Sequence, residues 1–112
     1  MTLDEARELI LSFPEADEEV DRRDGPIFRV RRAFFTRPTR SGGRLLLIGV
    51  PYEERELLAE LDPETYEFDR HHGFLLVSIA SVLPGSLKRL LEFRWRATAT
   101  KRAQKAYDAD PL

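Results

Sequence analysis

The beginning of the chain has its apolar residues at the spacing of an amphipathic helix. The apolar positions at this spacing are Leu3, Ala6, Leu9, Ile10 and Phe13. Thr2 precedes the run and Glu5 follows three residues later, which is the sequence of a capping box. Pro14 ends the pattern. The sequence therefore predicts a helix with one buried stripe, followed by an acidic turn over residues 15–21.

From residue 27 the pattern changes to the two-residue alternation of a β-strand. Phe28 and Val30 share one face, and Arg29 and Arg31 share the other. After a tight turn near Arg31, a second strand is predicted over residues 33–36.

Residues 37–44 are predicted to form a flexible hairpin loop, because they combine proline, serine and two glycines. This loop carries three basic residues, Arg37, Arg40 and Arg44. Residues 45–50 are almost continuously apolar and predict a central strand that is covered on at least one side.

The second half of the chain repeats this mixture of elements. We expect a short helix over residues 53–61, a strand over 66–69, a turn over 71–73 and a strand over 74–79. The leucines expected to be buried on the short helix are Leu57, Leu58 and Leu61. A long final helix is predicted from about residue 86 to residue 107.

This order of elements predicts an α+β fold. Short hairpin links favour an antiparallel sheet of about five strands with the helices packed on one face. A length of 112 residues fits one domain over residues 1–112, with its core at about 3–107.

Composition narrows the class of protein. Hydrophobic residues make up 42% of the chain, which is enough for a core. There is no cysteine, so disulfides, thiolate metal sites and cysteine nucleophiles are excluded. The longest apolar run, residues 45–50, is far shorter than a membrane span, and the acidic first residues do not resemble a signal peptide. We therefore expect a cytoplasmic protein with no membrane partner.

The charges are segregated along the chain although the net charge is only −2. Residues 22–44 carry eight arginines against Asp24 alone, and residues 86–107 carry seven basic residues against Glu92 alone. Acidic segments lie before and between these two basic blocks. If the fold brings the basic blocks together, they form a positive face that suits a polyanion; otherwise they pair with the acids as solvated surface.

No segment carries a catalytic or nucleotide-binding motif, so we expect neither an enzyme nor a cofactor. His71 and His72, with Asp69 nearby, are the one cluster of metal-ligand type, but adjacent side chains point apart, and a polar turn without metal is expected. Several aromatic residues have the chemistry to stack on nucleic-acid bases but fit the core pattern better: Phe28, Phe34, Phe35 and Trp95.

The order of segments over about residues 3–103 resembles the MmcQ/YjbR family of small bacterial proteins. The similar segments are a first helix ending at residues 13–16, a strand pair over 28–34, an apolar strand and acidic helix over 47–54, a strand entry at 72–74, and the last helix at 94–102. The chain departs from the family pattern at Arg31, where a turn glycine is usual, at Ile48, where lysine is usual, and at Phe74, where tryptophan is usual. The resemblance implies an α+β fold and a DNA-binding role in which the hairpins act as paired wings.

The leading hypothesis is therefore a nucleic-acid-binding module, with DNA as the expected partner, that contacts the phosphate backbone. The residues predicted to make these contacts are Arg29, Arg31, Arg37, Arg40, Arg44, Arg96, Lys101, Arg102 and Lys105. One alternative is a protein-binding adaptor that uses the acidic and basic blocks as separate surfaces. Another is a small-molecule binder with a pocket between the sheet and the last helix, near His71, His72 and Trp95.

Overall fold

The structure is a computed structural model and describes residues 1–109. Residues 110–112, which the predicted domain includes, lie outside the described residues. The helices are α1 (Leu3–Leu11), α2 (Tyr52–Leu61), α3 (Pro84–Thr98) and α4 (Lys101–Ala109). The strands are β1 (Ala16–Asp21), β2 (Gly25–Val30), β3 (Ala33–Pro38), β4 (Arg44–Leu47), β5 (Tyr66–Asp69) and β6 (Phe74–Ser78).

The six strands form one antiparallel sheet in the order β1-β2-β3-β4-β6-β5. α1 packs beside β1 and α3, α3 crosses β3 and β4, and α2 lies against the edge strand β5. The predicted α+β class, with an antiparallel sheet and helices packed against it, is confirmed. β4 is central, as the apolar run predicted.

The core lies between the helices and one face of the sheet. The sheet residues that are fully buried there alternate along the strands: Phe28, Val30, Leu45, Leu47, Leu75 and Val77. α1 contributes Ala6 and Ile10 of its predicted stripe, whereas Leu3 of that stripe is exposed. α3 contributes Leu87, Leu90, Leu91 and Trp95. The predicted capping box of Thr2 and Glu5 is present at the start of α1.

The sheet has six strands rather than five because residues 16–21 form β1, where the sequence predicted a turn. Four of these six residues are acidic, so the segment lacks the apolar alternation of a strand. Pairing with β2 from Ala16↔Val30 to Asp21↔Gly25 supplies its backbone hydrogen bonds. An ion pair between Arg29 and Glu19, 2.9 Å long, adds a cross-strand contact.

The final helix is interrupted, although the sequence predicted one helix over residues 86–107. α3 ends at Thr98 and α4 begins at Lys101. The carboxylate of Glu15 accepts hydrogen bonds from the backbone N–H of Thr100 at 2.8 Å and from its hydroxyl at 3.1 Å. The Thr100 hydroxyl in turn accepts from Ala103 N–H at 3.1 Å and so caps α4.

Two further details differ from the sequence predictions. In α2 only Leu58 packs against the core, whereas Leu57 and Leu61 are exposed, because this helix lies at the sheet edge. β3 continues to Pro38 and β4 begins at Arg44, so Arg37 and Arg44 lie within strands rather than in the hairpin loop, and only Arg40 of the three lies in the loop.

Candidate nucleic-acid interface

The face of the sheet turned away from the helices is left uncovered by the described residues. We call it the open face, and it consists of Ile27, Arg29, Phe34, Arg37, Arg44, Leu46, Ile48, Phe74 and Leu76. These residues alternate with the buried ones along their strands and are half-buried, apart from the exposed Arg44. The open face therefore combines an apolar centre with three arginines.

The apolar centre forms a concavity of about 420 Å³. It is lined by Phe34, Arg37, Leu46, Ile48 and Phe74. Its volume lies within the roughly 300–1,000 Å³ that is typical of ligand pockets. Phe34 is the cross-strand neighbour of Arg29, and Leu46 is the cross-strand neighbour of Arg37, so the arginines border the apolar residues directly.

Arg29 and Arg37 are held by partners at the β1–β2 side of the open face. The Nε of Arg29 donates to Glu19 at 2.9 Å, and one of its Nη atoms donates to the carbonyl of Arg32 at 3.2 Å. Arg37 donates to the carbonyl of Asp24 at 3.0 Å, while the Asp24 carboxylate is 4.0 Å away.

Arg44 lies on the open face two residues before Leu46, outside the lining of the concavity, and pairs with Glu67 of β5. Its side chain is 50% exposed and that of Glu67 is 57% exposed. All three arginines of the open face thus have acidic neighbours, in arrangements that water can reach.

The turns at the two ends of β2 and β3 carry the next two candidates. Arg40 lies in the turn between β3 and β4, with its side chain 85% exposed and its guanidinium 3.6 Å from Asp24. Arg31 lies at the opposite end, in the two-residue turn between β2 and β3. A six-residue strand separates the ends by about 20 Å, so Arg31 and Arg40 do not form one cluster.

The four candidates of the second basic block lie on the helix side of the sheet, not on the open face. Tyr107 of α4 stacks on Phe13 and packs against Trp95, which fixes α4 to the helix layer. Lys101, Arg102 and Lys105 are exposed and have no salt bridge to any residue within 1–109.

Arg96 is engaged by α4 itself. Its guanidinium pairs with Asp108 at 2.7 Å, and this hydrogen bond raises the pKa of Arg96 and lowers the pKa of Asp108.

Arg31 is the one candidate from the first block that shares an end of the molecule with α4. Its neighbour Val30 pairs with Ala16, and the adjacent Glu15 accepts hydrogen bonds from Thr100, the residue that caps α4.

The turn that contains His71 and His72 is polar, and hydrogen bonds to Asp69 hold it together. One carboxylate oxygen of Asp69 accepts from the backbone N–H groups of His71 and His72, and the other is 3.1 Å from His72 Nδ1. These hydrogen bonds, with that of the His72 side chain the largest cause, lower the pKa of Asp69. In residues 1–109 no three His, Asp or Glu side chains converge as metal ligands would. The His72 ring stacks on Phe74, with ring centroids 5.4 Å apart.

The structure separates the residues of the small-molecule hypothesis. Trp95 is fully buried, and its indole N–H donates to the carbonyl of Pro14 at 2.9 Å. His71 and His72 are exposed in the β5–β6 turn. The pockets at the β5 edge, at the β3–β4 turn and on the open face are lined by none of these three residues.

Sequence reasoning assigned Phe28, Phe34, Phe35 and Trp95 to the core, and this was wrong for Phe34. A bulge in the pairing of β2 with β3 places Phe34 opposite Arg29 and leaves Phe35 on the buried side. The sequence prediction did not identify Phe74 as a residue of the open face. The alternation along β6 indicates this position, because Leu75 and Val77 are buried and Phe74 has the opposite orientation.

Comparison of the chain with protein-family models, with curated proteins and with solved structures found no match. None of the helices within residues 1–109 is both long and apolar enough to cross a bilayer.

Proposed function

We propose that this protein binds nucleic acid and that the open face of the sheet is its principal contact surface. The observation that carries this proposal is the placement of Arg29, Arg37 and Arg44. They come from the three adjacent strands β2, β3 and β4 on the uncovered side of the sheet. Arg37 lines the apolar concavity, Arg29 lies opposite Phe34 of its lining, and Arg44 is two residues from Leu46 of its lining. Guanidinium groups bind phosphate oxygens bidentately, and such contacts supply most of the affinity of nucleic-acid-binding proteins.

The acidic partners of these arginines do not prevent phosphate binding. Exposed ion pairs contribute only about 0–1 kcal/mol, because water and salt screen both charges. Arg29 and Arg44 can therefore exchange Glu19 and Glu67 for a phosphate at little cost. Arg37 keeps its hydrogen bond to the Asp24 carbonyl while its remaining N–H groups stay available.

Arg31, Lys101 and Arg102 provide a second group of phosphate contacts in this proposal. They belong to the end of the molecule at which Glu15 joins α4 to the sheet. A strand of nucleic acid that leaves the open face at this end would meet them next.

Membership of the MmcQ/YjbR family and a cytoplasmic location belong to the same proposal.

The test measures binding of labelled single-stranded and duplex oligonucleotides by fluorescence anisotropy between about 50 and 200 mM salt. Three single-strand phosphate contacts predict a slope of log K against log salt of about −2. In the triple variant Arg29→Gln, Arg37→Gln, Arg44→Gln we expect weaker binding and the loss of this salt dependence.

A matched control removes the same charge from the helix side. The variant Arg7→Gln, Lys88→Gln, Arg89→Gln also loses two ion pairs, Arg7–Glu18 and Arg89–Glu54. We expect it to bind like the natural chain. Absence of binding at about 50 mM salt, or equal losses in the two triple variants, would refute the open face as a phosphate-contact surface.

A protein partner is the second candidate, and the acidic edges of the same face favour it. Asp17 and Glu19 of β1 border the open face on one side, and Glu67 and Asp69 of β5 border it on the other. An apolar centre with arginines and a charged rim is a common composition of protein interfaces. A complex that survives nuclease treatment and is lost in a Leu46→Asp variant would favour this candidate over nucleic acid.

A further inference from the structure

We propose that the concavity of the open face takes unpaired bases, so that the preferred ligand is single-stranded nucleic acid rather than duplex. This inference rests on the proposed function and specifies its ligand. It starts from the two phenylalanines of the concavity, Phe34 and Phe74, which the core does not use.

A phenyl ring on an uncovered sheet gives bases a stacking platform. Stacking on aromatic side chains is the common way in which sheet proteins bind single strands, because every base has a π-face. A duplex keeps its bases stacked on one another and presents only their edges in the grooves. Phe34 and Phe74 can therefore stack with an unpaired base and not with a paired one.

The surroundings of the two rings fit a strand that crosses the sheet. The His72 ring stacks nearly parallel on Phe74, with an angle of 12° between the ring planes, which adds a second aromatic ring beside the concavity at the β5–β6 turn. Arg29 lies opposite Phe34 in the β2–β3 pair, and Arg37 lines the concavity itself. Aromatic rings that alternate with arginines match the alternation of bases with phosphates along a single strand.

Charge complementarity selects this occupant over an apolar one. The arginines at the concavity offer hydrogen-bond donors that an apolar helix or a second sheet would leave unsatisfied. The edges of the sheet beyond them are acidic, which confines a polyanion to the central strands. A single strand is narrow enough to follow this path, whereas the regularly spaced phosphates of a duplex would also approach the acidic edges.

The experiment compares three labelled probes of equal length: a single strand, the corresponding duplex and an abasic strand that keeps the phosphates. We expect the natural protein to bind the single strand tightest and the abasic strand at least about tenfold more weakly. The variants Phe34→Leu and Phe74→Leu, which keep the surface apolar, should each weaken single-strand binding by about five- to 100-fold. Their binding of the abasic strand should not change.

The control variant is Phe93→Leu, the same exchange at a partly buried position of α3, outside the open face. It should retain single-strand binding, and circular dichroism of all variants checks the fold. If no probe binds, the proposed function itself fails. If all three probes bind alike, or the phenylalanine variants bind the single strand unchanged, nucleic-acid binding stands and the base-stacking inference is overturned. Burial of the open face between two copies in solution would overturn it as well.

Discussion

At the scale of single residues, three positions have backbone angles that their side chains do not favour. Glu15, Arg31 and Arg32 have positive φ values of 67°, 51° and 75°. The left-handed region costs about 1–2 kcal/mol for each residue that has a Cβ. Such strain persists only where the surrounding structure holds the residue in that conformation.

At Glu15 the compensation is visible, because its carboxylate holds the start of α4. Glu15→Ala should lower the free energy of unfolding by about 1–2 kcal/mol, since it removes the contact and keeps the strain. Glu15→Gly also removes the contact but relieves the strain, so it should be the more stable variant. Urea unfolding measures both, and an alanine variant as stable as the glycine variant would contradict this explanation.

Neither Arg31 nor Arg32 forms a salt bridge within residues 1–109, and the proposed function assigns Arg31 to phosphate contact. The double variant Arg31→Asn, Arg32→Gly introduces the Asn-Gly pair that such two-residue turns favour, and it should stabilise the protein by about 1 kcal/mol. We expect a rise in Tm of about 4 °C together with weaker oligonucleotide binding. A more stable variant with unchanged affinity would exclude this turn from the interface.

At the scale of elements, local patterns predicted α1, α3, β2 and the hairpin turn at Arg31 because apolar spacing and turn residues act within a few positions. β1 and the break before α4 were not predictable in this way. β1 depends on its pairing with β2, and the break depends on Glu15, which is 85 residues distant from Thr100 in the chain. The open face was predicted only in part. Arg29 followed from strand alternation, whereas Arg37 and Arg44 were assigned to the hairpin loop, and the position of Phe34 depends on the bulge.

The attachment of α4 depends on Tyr107 and predicts a change at alkaline pH. Burial and a 2.6 Å hydrogen bond from its hydroxyl to Glu92 raise the pKa of Tyr107 to about 12. The unfolded chain loses this proton near its ordinary pKa of about 10, before the folded chain does. The stabilisation that protonated Tyr107 contributes to the folded state is therefore complete below about pH 10 and is lost as the pH rises to about 12.

Urea unfolding of the natural chain and of Tyr107→Phe over this range isolates the effect, since all other titrating groups are shared. We expect the stability difference between the two proteins to shift in favour of Tyr107→Phe as the pH rises through this window. Parallel stability profiles would show that Tyr107 does not titrate differently in the folded chain.

At the scale of the whole molecule, the two basic blocks of the sequence lie on different surfaces of the fold. The first basic block contributes to the open face and to the turns at both ends of the sheet, whereas the second lies on the helix side. A single positive face is therefore not formed. The fold class could be predicted from element order, but this division could not, because it depends on which side of the sheet the helices cover.

The most direct test of the open face is a map of amide chemical shifts in the ¹⁵N-labelled protein during titration with a short single-stranded oligonucleotide. We predict that the largest changes fall on β2, β3, β4 and the start of β6, at Arg29, Phe34, Arg37, Arg44 and Phe74. Smaller changes are expected at Arg31 and the start of α4, and none at Lys88 and Arg89. Changes confined to the helix side, or an unchanged spectrum at saturating oligonucleotide, would contradict the assignment of the open face.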